Sequence, residues 1–150
     1  MNRKTISIIL LAIFLITVGF TLANALMHGS DSAIEKENGT LTIGNRTVHY
    51  EKSGKCVEVI DANTIQVYGV GRVQLTQIGK PTAEANTFVK DKCLGKTVYL
   101  DIDDKKPKDD YERTLAIVYT DDCDINQELI KNKMVQTSYF EPSEFEKGKV

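Results

Sequence analysis

The residues able to do chemistry fall into three sets. Cys56, Cys93 and Cys123 are an odd number of thiols. In an oxidising compartment they give one bridge and one leftover thiol; equally, they can serve as three small buried hydrophobes. There is no C-x-x-C, and neither His28 nor His49 lies near a cysteine, so the spacing along the chain offers no zinc site. The second set is Asp61-Ala62-Asn63, a carboxylate and a carboxamide two residues apart between two apolar runs. Such residues are ordinary turn formers whose side chains bond nearby backbone amides. The third is the stretch Asp101 to Asp110 with Arg113 after it. Lys105, Lys106 and Lys108 make it a solvated loop, with a cation site of Asp101, Asp103 and Asp104 as the alternative, and Arg113 between Asp110, Glu112 and the acidic loop reads as a surface ion pair.

A single domain has to position these residues. The chain has 150 residues, 41% apolar and 27% charged, a globular balance that excludes disordered, collagen-like and disulfide-scaffold classes. Net charge is −2, and −4 once Arg3 and Lys4 are set aside with the apolar run they precede. Nucleic-acid binders usually carry a basic excess, so any phosphate chemistry here must rest on a local site.

Ile6 to Met27 is an almost unbroken apolar run of 22 residues, enough to cross about 30 Å of hydrocarbon as a helix. Asn2-Arg3-Lys4 precedes it and Asp31, Glu35 and Glu37 follow. The positive-inside bias therefore predicts a single-pass membrane anchor with its N-terminus in the cytoplasm and the domain outside. Ala23-Asn24-Ala25 also has the small-x-small form of a cleavage site, so the alternative is a signal peptide and a secreted protein. No cysteine stands near residues 20 to 28, which excludes a lipoprotein anchor. Residues 1–28 are thus read as anchor or signal peptide, 29–53 as linker and short hairpin, 54–145 as the domain and 146–150 as a tail. Asn38-Gly39-Thr40 and Asn45-Arg46-Thr47 are sequons whose use depends on export.

Alternation around Gly44-Asn45 predicts a hairpin over residues 41–50. Cys56 to Ile60, Thr64 to Tyr68 and Arg72 to Ile78 read as a three-strand meander, and Thr97 to Asp101 and Thr114 to Tyr119 as two more strands. Ala85, Phe88, Val89 and Cys93 share a helical face that Gly95 ends, and a second helix runs from about Ile125 to Lys133 behind Asp124 as N-cap. Five short strands with a helix after the third and another after the fifth make a mainly β chain with helices (α+β), a small barrel of OB type.

Val59-Ile60-Asp61-Ala62-Asn63-Thr64-Ile65, Val73-Gln74-Leu75-Thr76-Gln77-Ile78-Gly79-Lys80-Pro81, Gly95-Lys96-Thr97-Val98 and Asp110-Tyr111-Glu112-Arg113-Thr114-Leu115-Ala116 follow one another, with Asn126-Gln127-Glu128-Leu129-Ile130 after them. In this order and spacing, residues 55 to 143 resemble the staphylococcal nuclease-like (thermonuclease) family. The resemblance implies a five-stranded OB barrel with two helices and, in active members, calcium-dependent cleavage of phosphodiester bonds in DNA and RNA. It also puts Cys56 at the start of the first strand and Cys93 at the end of the helix on the barrel, which favours a Cys56–Cys93 disulfide.

Transferred position by position, the chemistry fails. Active members read V-I-D-G-D-T, the second Asp binding calcium; this chain keeps Asp61 but has Asn63 there. They then read V-R-L-x-G-I-D-T-P-E, where the Arg stabilises the phosphorane, the Asp binds calcium and the Glu holds the attacking water. Here Gln74, Gly79 and Thr82 stand in those places, and Lys80 adds a cation beside the metal positions. Arg113 keeps the second catalytic arginine, although Glu112 stands where Gly is usual. Arg72 lies on the same strand face as Gln74 but about 6.6 Å along it, too far to substitute. The expectation is a membrane-tethered, extracytoplasmic nuclease-like domain that has lost catalysis, or most of it. It would use no cofactor and act as a binding or scaffolding module, with nucleic acid as a candidate ligand and any protein partner unspecified. The alternative is an active calcium-dependent endonuclease degrading extracellular DNA or RNA, with Ca2+ as cofactor; a structural envelope protein is a remoter one.

Overall fold

A computed structural model describes residues 38–150. The apolar run 6–27 and the first part of the linker lie outside the described residues, among which no helix is long and apolar enough to cross a membrane. The elements are β1 (Gly39–Ile43), β2 (Arg46–Tyr50), β3 (Lys52–Asp61), β4 (Thr64–Val67), β5 (Gly71–Leu75), β6 (Ile78–Pro81), α1 (Ala83–Cys93), β7 (Thr97–Ile102), β8 (Thr114–Tyr119), α2 (Ile125–Lys131) and β9 (Val135–Thr137).

Five strands close into a barrel in the order β3-β4-β5-β8-β7, the expected OB-type architecture with two helices. β3, β4 and β5 form the meander, β5 and β8 run parallel, and Lys52–Lys55 of β3 pair with 97–100 of β7 to complete the circle. Alternation decides what faces inward. Cys56, Val59, Ile65, Val67, Val73, Leu75, Val98, Leu100, Ala116 and Val118 fill one core with Ala85, Val89 and Cys93 of α1 and Ile125 and Leu129 of α2. Thr82 caps α1, its hydroxyl accepting from Ala85 N at 3.1 Å, and Asp124 caps α2 through Gln127 N at 2.9 Å.

The hairpin β1–β2 turns at Gly44, whose φ of 59° lies in the left-handed region that glycine enters without steric cost. It packs on the outside of the barrel in a second apolar cluster: Val48 meets Ile117, Tyr119 and Val150, with Leu41, Ile43, Tyr99 and Phe145 around them. Tyr50 and Tyr99 lie 4.9 Å apart, tilted by 59°. Asp124 takes an ion pair from Arg46 of the hairpin.

Two expectations are corrected. The run Arg72 to Ile78 is not one strand but β5 and β6, broken at Thr76–Gln77. Gln77 sits at φ 60°, and its buried amide donates to Glu146 O at 3.0 Å and accepts from Gly148 N at 2.8 Å, so bonds to the C-terminal residues replace ladder bonds. Cys56, Cys93 and Cys123 are all free, buried thiols, and the Cys56–Cys93 bridge is not formed. Burial raises all three pKa values, that of Cys93 to about 12 and that of Cys123 to about 11, which suppresses the thiolate that disulfide exchange requires.

Candidate functional site

One end of the barrel carries a cleft of about 550 Å³. Asn63, Gln74, Gly79, Lys80 and Arg113 line it, so five of the seven nucleic-acid-chemistry positions read from the sequence come together; Asp61 and Thr82 are not among its lining residues. The register explains the grouping. Thr64 of β4 lies directly across from Gln74 of β5, at the mouth of the β3–β4 turn that holds Asn63.

The polar groups of this turn are bonded to one another. Asp61 Oδ1 accepts Asn63 N–H at 2.9 Å, the expected turn-forming role. The Asn63 carboxamide donates Nδ2 to Gly79 O at 3.2 Å and accepts at Oδ1 from Thr64 Oγ1 at 2.8 Å. Gln74 donates Nε2 to Leu75 O and Ile78 O at 3.3 and 3.4 Å. Thr82 is occupied by its cap and donates to Met134 O at 2.9 Å.

Arg113 is the cation of the cleft. Its partner is Asp109 of the acidic loop, and not the sequence neighbours Asp110 and Glu112: Nε to Oδ2 is 2.7 Å, while Oδ1 accepts the backbone N–H groups of Tyr111 and Arg113, both at 2.9 Å. Burial alone would raise the Asp109 pKa, but the Arg113 N–H and guanidinium and the Tyr111 N–H outweigh it and hold the carboxyl below its usual range. Arg113 NH1 also donates to Thr64 Oγ1 at 3.0 Å, and the guanidinium lies 5.4 Å from the centre of the Tyr111 ring. Glu112, at the family's glycine position, adopts a φ of 62°, a left-handed conformation that costs a residue with Cβ about 1 to 2 kcal/mol.

Several residues of the cleft gave no sequence signal. Ser138, Tyr139, Phe140, Glu141, Pro142 and Ser143 form one wall, brought there because β9 pairs with β6. Tyr111 and Phe140 are 80% and 73% exposed at the rim, unusually open for aromatic rings.

The donor set does not suit the calcium that the family resemblance implies. Calcium takes six to eight oxygens, several of them anionic. At the family's ligand positions Asp61 is engaged with the turn, Asn63 aims an N–H at Gly79 O, Gly79 has no side chain and Lys80 is a cation. Residues 62–149 match the model of a family described as staphylococcal nuclease homologue. No curated protein matches the chain.

Proposed function

The chain belongs to the staphylococcal nuclease homologue family, and from that premise we propose that it binds single-stranded nucleic acid in the cleft without the family's cleavage reaction, held outside the cell membrane by residues 6–27. The observation that carries this reading is the Asn63 amide N–H bonded to Gly79 O at 3.2 Å, a hydrogen-bond donor where cleavage needs an anionic oxygen. Losing one preorganised donor typically costs about 10² to 10³ in rate. Two of the family's metal-binding carboxylates, one arginine and the water-holding glutamate are replaced together, at Asn63, Gly79, Gln74 and Thr82.

What the remaining residues can do is bind. A guanidinium carries five donors, of which Asp109 and Thr64 take two, and it can offer others to a phosphate oxygen alongside Lys80. Tyr111 and Phe140 offer faces on which unpaired bases stack, worth about 1 to 3 kcal/mol per base. Asp103, Asp109, Asp110 and Glu141 share the cleft, so the field at the phosphate is weak and affinity is expected to be modest.

The test uses the full-length protein in mild detergent with a labelled single-stranded oligonucleotide, and with plasmid DNA and RNA in the presence and absence of calcium. Binding should weaken with salt at a slope of roughly −1.4 in log K per log unit, for two phosphate contacts at about −0.7 each. Arg113→Ala should remove about half of that slope. No calcium-stimulated cleavage is expected, and calcium should bind no better than millimolar. Cleavage at ordinary nuclease rates would replace this reading with the active endonuclease. For topology, protease added to intact cells should remove the domain and leave the first residues protected; recovery of the whole chain in cytosol would sink the membrane tether.

A further inference from the structure

On the face of the barrel that the hairpin approaches, three side chains from separate stretches of chain converge. His49 stands near the end of β2, Glu51 in the step between β2 and β3, and Asp101 on β7. One ligand atom from each, an imidazole nitrogen and two carboxylate oxygens, lies within 4.8 Å of the others. Forty-nine residues separate the last two, and only the pairing of β3 with β7 brings them together.

We propose that His49, Glu51 and Asp101 form a binding site for a divalent first-row transition metal ion such as Zn2+. An imidazole with two carboxylates is a three-ligand set of the kind zinc uses when further positions stay open to water. Ligand atoms about 2.1 Å from such an ion stand about 3.4 Å apart in a tetrahedron, so side-chain shifts of about 1.4 Å or less close the set.

Two observations independent of this spacing support it. Glu51 is only 6% exposed, yet it brings its carboxylate to the cluster. Its described hydrogen bond, from Ile102 N–H to Oε2 at 2.6 Å, serves one of about four lone-pair positions. Around Asp101, the carboxylates of Glu51, Glu144 and Asp104 gather negative charge. Carboxylates gathered in this way repel one another, and a bound cation offsets the repulsion. The Ile102 N–H on Glu51 and the Tyr119 hydroxyl on Asp101 already orient the ligands, as outer-shell partners do in metal sites. The site lies apart from the cleft, whose lining contains none of the three residues.

The experiment is titration of the full-length protein, in mild detergent and after chelator treatment, with Zn2+ by calorimetry and with Co2+ by visible absorption. One ion per chain with micromolar or tighter affinity is expected, and the melting temperature should rise with added Zn2+. His49→Ala, a change at an exposed position, and Asp101→Asn should each weaken binding 10- to 100-fold, whereas His28→Ala should leave it unchanged. Millimolar Ca2+ should not compete. Absence of saturable binding below 1 mM, or affinity unaltered in both His49→Ala and Asp101→Asn, overturns the proposal. So does a site that His49→Ala leaves intact and Ca2+ fills, which would be a carboxylate site for hard cations.

Discussion

Gly79→Asp, the change that puts back one calcium-binding carboxylate of active family members, should destabilise the domain and release β9. A Cβ at residue 79 would stand 2.7 Å from Gln136 O and 3.2 Å from Ser138 Cβ. The first of these is backbone, held by the β6–β9 pairing of Ile78 with Thr137 and Pro81 with Val135, and it cannot swing aside as a side-chain end can. Overpacking of this kind typically costs 1 to 3 kcal/mol, roughly 4 to 12 °C in melting temperature for a domain of this size. Thermal unfolding reads the cost, and limited proteolysis near residues 134–140 reads the loosened strand. Asn63→Asp and Gln74→Arg, which change side chains that already carry a Cβ, should stay closer to the parent. Equal melting temperatures for Gly79→Asp and the parent would show that β9 gives way freely. Rebuilding the family's side chains on this scaffold therefore requires moving the C-terminal wall as well.

Asn126→Ala is expected to be the most damaging single substitution, costing roughly 2 to 6 kcal/mol. Asn126 is fully buried; its Oδ1 accepts Val118 N–H at 3.0 Å and its Nδ2 donates to Thr76 O at 2.9 Å. It ties α2 to Val118 near the end of β8 and to the point where β5 breaks from β6. Truncation strands a buried donor and a buried acceptor at about 1 to 3 kcal/mol each, against a typical total stability of 5 to 15 kcal/mol. Denaturant unfolding should show a lowered midpoint with little change in slope. A loss below 1 kcal/mol would mean that water reaches both groups. Asn126→Asp should fare little better, because a carboxylate cannot donate to Thr76 O.

The sequence made the barrel legible because its strands alternate cleanly and its helices carry caps and a terminating glycine, signals written within a few residues. The break after Leu75 leaves only a faint trace, polar Gln77 and apolar Ile78 falling out of the alternation of Val73 and Leu75, while the reversal at Gln77 is imposed by residues 146 and 148. An ion pair of Arg113 with the acidic stretch is legible, but which acid takes it is not: Asp110 and Glu112 are nearer along the chain, whereas the turn folds Asp109 under the guanidinium. The wall formed by residues 138–143 has no local signature, because it exists only through pairing between β6 and β9. The cysteine bridge was an inference about neighbouring elements, and proximity of α1 to β3 does not by itself bring two sulfurs into bonding geometry.

The seam between β3 and β7 has a kinetic consequence. Lys52–Lys55 find their partners at Thr97–Leu100, so the circle cannot close until some forty-five residues of intervening chain have been laid down and ordered. The parallel contact of Val73–Leu75 with Thr114–Ala116 spans a similar distance. Searches over such separations are slow, and barrels dominated by them fold in milliseconds to seconds. Until the seam shuts, Cys56 at the centre of β3 and Cys93 at the end of α1 lack the burial that suppresses their thiolates. The interval before closure, and not the finished fold, is when an oxidant would find these thiols, so the rate of barrel closure sets how long the chain is vulnerable to wrong cross-links.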